Sequence, residues 1–364
     1  MQAEPSDSGI WRFAHHLPTV DTGAQMSLGE GNTFLLAAAG PTLSGLPVAS
    51  LRFKTEHQNP TGSFKDRIAA VAASLIRQNG LGGAVGTSSG NGGAAMAAYG
   101  ARCGFPVVLF TLSGIVDGKL AQILAHGATT YFVESFGETP DEGVAPTIAR
   151  LAEEHGWLPF LTGARYAPEA MRGAETIAFE LADQCPEASA VYVPVGGGGL
   201  LGSIWRGYRR LETRVPRLVG VQPRGCPTLR RGLAGELGPL EGPITTTISG
   251  LQVSVLFDYG AIDAVVDTGG AGIEVDDQAV WEAQALLARE EGIFVEPAGA
   301  TALAGLLADV AAKDVGASDN VIVVLSGAGH KDPVAVARLN AGIEPQKIRA
   351  DEVPTAFAAR REKE

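Results

Sequence analysis

The sequence predicts an α/β fold of open, mostly parallel twisted sheets flanked by helices, and three observations point to it. From residue 65 onward, short β-type apolar runs alternate with longer helical patterns, as expected of strands joined by right-handed helical crossovers. The strand candidates read as unbroken apolar segments, Val321-Ile322-Val323-Val324-Leu325 being the clearest, which marks strands buried on both faces. Glycine is abundant, 48 of 364 residues, and predicts tight helix-on-sheet packing with loops where backbone can approach a ligand.

The elements follow in order. Ile68, Val71, Ala72, Leu75 and Ile76 recur at helical spacing, and Asn79-Gly80 is a helix stop. Strands are expected at 107–110, 129–133, 191–195, 218–222 and 321–325, and helices at 93–102, 118–125, 144–154, 200–211, 277–290 and 300–311. The polar stretch 134–142 reads as a loop, and no low-complexity tract or fixed-period repeat occurs. The charge-rich segment 345–364 reads as a surface tail or a partner-contacting arm.

At 364 residues the chain suits a large α/β unit or two domains. Its 45% hydrophobic and 19% charged content predicts a substantial core in a soluble protein. No apolar run is long enough to span a bilayer, and the acidic, polar start at 1–9 lacks the pattern of a secretory signal, so a cytoplasmic location is expected. The net charge of −12 argues against a nucleic-acid-binding face, so any anionic ligand must be held locally. Cys103, Cys185 and Cys226 are isolated and odd in number, which fits a reducing compartment. No Cys or His pair has zinc-ligand spacing, and no metal is expected. His15, His16, His57, His126 and His155 are scattered and read as caps or surface residues.

Four loops carry the chemistry. In Asn59-Pro60-Thr61-Gly62-Ser63-Phe64-Lys65-Asp66-Arg67 a turn delivers an amine to the first turn of a helix, where dipole and desolvation both disfavour the ammonium and favour a nucleophile. The bland alternative is a surface lysine, yet a cation at a helix N-terminus is electrostatically misplaced. In Val193-Pro194-Val195-Gly196-Gly197-Gly198-Gly199-Leu200 a strand runs through four glycines into a helix, a cradle for phosphate that lacks the Lys-Ser/Thr ending of a nucleoside-triphosphate loop. Gly197, Gly199 and Gly202 also satisfy the spacing of a dinucleotide motif, but the next strand ends near Gln222, where a ribose-binding acid belongs. A nicotinamide oxidoreductase remains the reading from another class, and it leaves Lys65 without a task.

Thr87-Ser88-Ser89-Gly90-Asn91-Gly92-Gly93 offers hydroxyls, an amide and exposed backbone to a carboxylate or a ring oxygen; plain helix capping is its alternative. Ser326-Gly327-Ala328-Gly329-His330-Lys331-Asp332 lies at the carboxyl end of a strand, where open α/β sheets place ligand contacts. A neutral hydroxyl there can face a pyridine nitrogen without forcing its protonation; otherwise Ser326 starts a turn.

Together these loops resemble the fold-type II pyridoxal-phosphate enzymes, within them the threonine synthase-like branch. Leu28-Gly29-Glu30-Gly31-Asn32-Thr33, Lys119-Leu120-Ala121-Gln122 and Glu296-Pro297-Ala298-Gly299-Ala300 extend the likeness, which runs in order from about residue 28 to 335. The resemblance implies pyridoxal 5'-phosphate as cofactor, with Lys65 forming the Schiff base, Asn91 bonding the ring hydroxyl, Gly196, Gly197, Gly198 and Gly199 holding the phosphate and Ser326 contacting the ring nitrogen. It implies that Ser88, Ser89, Gly90, Asn91 and Gly92 take the carboxylate of a small amino-acid substrate. It further implies a homodimer of two-domain subunits: an N-terminal segment 1–50 packing on the large domain, a smaller domain 51–165 with the lysine and asparagine loop, a larger domain 166–344 with the phosphate loop and Ser326, and the tail 345–364.

The reaction expected is removal of a Cα proton by the freed Lys65 amine, followed by loss or replacement of a leaving group at Cβ or Cγ. The leading reading is a threonine synthase-like lyase acting on O-phosphohomoserine or a relative. The runner-up is β-elimination or β-replacement on serine, threonine or O-phosphoserine, and a non-catalytic cofactor-binding protein stands apart from both. The family's Asn-Pro-x-Arg-x-Glu-Gly segment is broken here as Tyr166-Ala167-Pro168-Glu169-Ala170-Met171-Arg172-Gly173, leaving Arg165 and Arg172 as candidate phosphate partners beside the alternative of solvated charges.

Overall fold

Residues 9–88, 90–134 and 143–361 are described by the computed structural model. Among them ten strands form two sheets: β1 (Leu35–Ala37), β2 (Ser50–Lys54), β3 (Ala84–Thr87), β4 (Val107–Leu112), β5 (Thr129–Val133), β6 (Leu158–Phe160), β7 (Ala190–Pro194), β8 (Arg217–Pro223), β9 (Ala271–Val275) and β10 (Asn320–Val324). The larger sheet has the order β1-β2-β10-β7-β8-β9 and the smaller β5-β4-β3-β6. Every pairing is parallel except β1 with β2.

The centre of the larger sheet shows why the apolar runs are continuous. Ile322 and Val324 of β10 join a cluster with Ile68, Ile177 and Leu181 on one face. Val321 and Val323, their neighbours in sequence, join Phe53, Tyr192 and Leu303 on the other. Successive strand residues point to opposite faces, and here both faces are covered.

The expected helices appear as Asn91–Cys103, Asp117–Ala125, Val144–His155, Gly199–Arg210, Asp277–Glu290 and Pro297–Ala312. The helix Lys65–Asn79 closes on Gly80 in the left-handed region, φ 61°, which glycine adopts without a Cβ penalty. Strands β2, β6 and β9 and the helix Pro168–Gln184 lay outside the sequence expectation. In β2, Arg52 and Lys54 interrupt the apolar pattern, although Lys54 is fully buried.

Strand β2 pairs in register with β10 in the larger sheet, whereas the expected boundary placed residues 51–54 in the smaller domain. The smaller sheet spans 84–160. In the N-terminal segment Ile10, Trp11, Leu17 and Val20 are buried in the same cluster as Ile322, and the Trp11 indole donates to Met26 O at 2.8 Å. Of the loop expected at 134–142, residues 135–142 lie outside the described residues. The segment from 345 carries a turn, Ala350–Glu352, and a helix, Val353–Arg361, that leaves Val353 and Phe357 exposed. No helix among the described residues is long and apolar enough to cross a membrane.

Beneath the lysine helix four charged side chains are wholly buried. Arg67 donates to Glu56 at 2.7 and 2.8 Å and to both oxygens of Glu180 at 2.8 Å. Lys54 donates to Glu180 at 2.5 Å, to Gln184 at 2.9 Å and to Thr33 O at 3.0 Å. Burial pushes both carboxyl groups up, but the Arg67 guanidinium overrides it and holds each below the usual carboxylate range. Removing one member of such a set leaves an uncompensated buried charge. Glu180→Gln and Arg67→Met should each lower the unfolding free energy by about 3–5 kcal/mol, read from urea denaturation; a change within error of zero would show that the set does not stabilise the fold.

Candidate active site

The four loops converge at the carboxyl ends of the two sheets. Lys65 opens its helix, and the segment before it is stitched to the loop after β10. Phe64 N donates to Ser326 O at 3.2 Å, Ala328 N donates to Gly62 O at 2.8 Å, and Ser63 bridges Gly327 in antiparallel fashion. Ser326 is buried and is thereby held one residue from the lysine.

The Lys65 ammonium donates to Thr162 Oγ1 at 2.7 Å, just beyond the end of β6. Thr162 had no place in the sequence reading. A Cβ built on Gly199 would lie 2.9 Å from Thr162 O, so Thr162 stands between the lysine and the glycine loop. Burial lowers Lys65 to about 7, and Thr162, a neutral hydroxyl, brings no opposing negative charge.

The glycine loop is crowded on its outer side. Gly198 has φ 90°, and a Cβ there would meet Asp258 O at 2.6 Å. Phe257 N and Asp258 N donate to Gly197 O at 3.0 and 2.9 Å, bracing the loop. The helix Gly199–Arg210 starts from it, with its dipole favouring an anion. The dinucleotide reading has no acid to hold a ribose here: the Gln222 amide is buried and bonded to Leu229 N at 2.6 Å and Thr228 Oγ1 at 2.9 Å.

Asn91 begins the helix after β3. Its Nδ2 donates to Glu296 Oε1 at 2.7 Å, while its Oδ1 is buried without a hydrogen-bond partner. Ser88 Oγ accepts from Gly90 N at 2.9 Å and Gly93 N at 2.6 Å; in this structure its lone pairs cap the helix. Ser89 lies outside the described residues.

The arginine candidates separate. Arg172 donates to His16 O, on the side of the N-terminal segment. Arg165 lines a cavity of about 280 Å³ with Leu256, Phe257, Asp258, Tyr259 and Gly260, next to the residues that brace Gly197. Lys54 and Glu56 belong to the buried charge set, and Lys331 donates to Thr61 O and Gln122 Oε1 at 2.6 Å each.

A desolvated lysine, a glycine loop at a helix N-terminus, a buried hydroxyl and an orphaned amide oxygen fit pyridoxal phosphate. Lys65 would take its aldehyde, Gly196, Gly197, Gly198 and Gly199 its phosphate, Ser326 its ring nitrogen and Asn91 its ring hydroxyl.

Comparison with known proteins points to the same cofactor. The family described as pyridoxal-phosphate dependent enzyme matches residues 26–327. The chain is 34% identical to the threonine synthase of Methanocaldococcus jannaschii, aligning 94% of this chain with 85% of that protein. It is 31% identical to the threonine synthase of Mycobacterium leprae over 95% of each. Among solved structures, a serine racemase from Dictyostelium discoideum superposes with a TM-score of 0.65 at 26% identity, covering 81% of this chain and 92% of that one. An L-serine ammonia-lyase from Rhizomucor miehei shares the fold, with a TM-score of 0.70 at 19% identity over 86% and 98%.

The depressed Lys65 pKa has a consequence for the cofactor-free protein. Between about pH 7 and the unfolded value of 10.5, the unfolded chain holds a proton that the folded chain has released, so stability rises with pH across that window. Lys65→Met removes this cost. Its stability advantage over the parent apoprotein should be largest below pH 7 and fade towards about pH 10, measured by denaturation at several pH values; a constant difference would contradict the desolvation.

Proposed function

The chain belongs to the pyridoxal-phosphate dependent enzymes, and on that premise we propose a threonine synthase-like lyase that acts on an amino acid with a leaving group in its side chain, O-phosphohomoserine or a close relative. The observation that carries this reading is the desolvated Lys65 amine held against Thr162 at the edge of the glycine loop. Bound there, pyridoxal phosphate supplies a carbonyl that captures amines and a ring that delocalises the electron pair left when a Cα proton departs.

The protein's part is placement and proton transfer. An amine near pKa 7 is matched to accept and return a proton at neutral pH, and Thr162 Oγ1 fixes where its Nζ waits. Ser326 would offer a neutral hydroxyl to the ring nitrogen, which does not force its protonation as a carboxylate would and so suits expulsion of a leaving group better than transamination. The glycine loop and its helix dipole hold the phosphate. The loop 88–92 remains our candidate for the substrate carboxylate, through its backbone and Asn91 more than the Ser88 lone pairs, which cap the helix. Arg165, on the cavity beside Gly197, is the candidate cation for an anionic leaving group.

The second reading, β-elimination from serine or threonine, draws support from Arg172, which is engaged with His16 O and leaves fewer cations for a phosphate. We further propose a cytoplasmic homodimer of two-domain subunits, with the sheet spanning 84–160 as the core of the smaller domain. Exposed Phe34, Tyr131 and Phe132 at the outer strands of the two sheets support the dimer.

Purified protein should be yellow, and Lys65→Ala should lose both the visible absorption of the lysine adduct and turnover, by on the order of 10²- to 10⁴-fold or more. Phosphate release with threonine formation from O-phosphohomoserine supports the first reading; ammonia and a keto acid from serine or threonine support the second. Full activity in Lys65→Ala would refute both. If the leaving group is a phosphate, Arg165→Ala should lower kcat/KM by about 10- to 100-fold, the loss of one charge-assisted hydrogen bond, with little change for serine.

A further inference from the structure

Two charged side chains beside the site, Glu296 and Lys119, have no task in this scheme. Glu296, at the start of the helix Pro297–Ala312, is 1% exposed. Its Oε1 accepts from Asn91 Nδ2 at 2.7 Å, and its Oε2 lies 2.9 Å from Lys119 Nζ. Lys119 is fully buried and also donates to Ser249 Oγ at 3.0 Å. An unpaired ammonium there would be costly, and Lys119 and Glu296 form a buried ion pair.

A carboxylate only accepts hydrogen bonds, so the Asn91 amide must turn its NH2 end to Glu296. That choice settles the amide's two-fold ambiguity. It engages one Nδ2 hydrogen and leaves the second hydrogen and the unpartnered Oδ1 for whatever lies beside them. A glutamine at 296 could meet Asn91 with either end, and the orientation would no longer be imposed.

Two glycines from separate loops make room for this arrangement. A Cβ on Gly327 would lie 2.3 Å from Glu296 Oε1 and 3.2 Å from Asn91 Nδ2. A Cβ on Gly90, whose φ is +135°, would lie 2.3 Å from Lys119 Cδ. Real Cβ atoms do not approach so closely, so neither position accepts a side chain while Lys119, Glu296 and Asn91 keep these places.

We propose that Glu296 is a positioning residue that orients the Asn91 amide towards the cofactor's ring hydroxyl, with Lys119 paired to its other oxygen and Gly90 and Gly327 providing clearance. This rests on the functional reading above, in which Asn91 meets the ring. A rival role is a plain structural tie, because Lys119 and Asn91 lie on helices that follow strands of the smaller sheet while Glu296 lies among elements of the larger one.

The double variant Lys119→Met/Glu296→Gln separates the two, since it removes both charges and nearly preserves shape. Cofactor-free protein is titrated with pyridoxal phosphate and followed by visible absorption and protein fluorescence, with a thermal melt to confirm folding. Positioning requires cofactor affinity about 5- to 10-fold weaker than in the parent, the worth of one oriented hydrogen bond, and a shifted absorption maximum. In an Asn91→Ala background the same two changes should then have no effect. Parent-like affinity and spectrum, or an additive loss in the Asn91→Ala background, would overturn the proposal. Should the double variant not fold, Gly327→Ala keeps both charges while pressing a methyl group on Oε1, and the same readouts decide. Failure of the parent protein to take up the cofactor would instead remove the functional reading itself.

Discussion

The neutral set of Lys54, Arg67, Glu56 and Glu180 is the constraint on which the site depends. Two cations and two anions wholly removed from water are tolerated only when their charges cancel and their hydrogen bonds are made. Here Arg67 meets both carboxylates with its planar fork, and Lys54 and the backbone of Asn32 and Thr33 take up the rest of Glu180. The set therefore joins the N-terminal turn, strand β2, the lysine helix and the helix Pro168–Gln184 at one point. Arg67 is two residues after Lys65, and positions two apart on a helix do not share a face. The first turn is pinned from its core side by Arg67 while Lys65 is presented on another side.

From that fixed turn the rest of the site follows by topology. In parallel sheets every strand delivers its following loop to the same end. Strand β3 delivers Asn91, β6 delivers Thr162, β7 delivers the glycine loop and β10 delivers Ser326. Strand β2, parallel to β10, delivers the lysine segment to the same end, where a short antiparallel bridge ties it to the β10 loop. The residues that would touch one small cofactor thus come from two sheets, and the side chains of Asn91, Lys119 and Glu296 cross between them.

What could be read from the sequence was what local chemistry determines. The alternation of apolar strands with helices, the Gly80 stop, the glycine loop and the misplaced cation at 65 each express themselves within a dozen residues. What escaped depends on distant partners. Strand β2 reads poorly because Lys54 is buried, and burial is allowed only by Glu180, 126 positions away. Thr162 meets Lys65 across 97 positions, and nothing in its own neighbourhood marks it. The two readings of Ser88 could not be separated without seeing that Gly90 N and Gly93 N both point to its hydroxyl. The contact of Arg172 with His16 O likewise depends on where the N-terminal segment lies.

Four lysines with buried amines lie in or near this region, and their partners bear on why Lys65 is the one we propose as the nucleophile. Lys54 is paired with Glu180 and Lys119 with Glu296, so nucleophilic use of either amine would break a buried ion pair. Lys331 is lowered by burial to about 8, but its donors are engaged with Thr61 O and Gln122, and nucleophilic use of its lone pair would leave those acceptors unsatisfied. Lys65 has a single neutral hydroxyl, which can donate to an amine as readily as it accepts from an ammonium. Losing a proton therefore costs Lys65 no hydrogen bond and breaks no ion pair, while it relieves the desolvation. The reactivity we propose for position 65 rests as much on the neutral character of Thr162, its hydrogen-bond partner among the described residues, as on burial itself, which the other three lysines share.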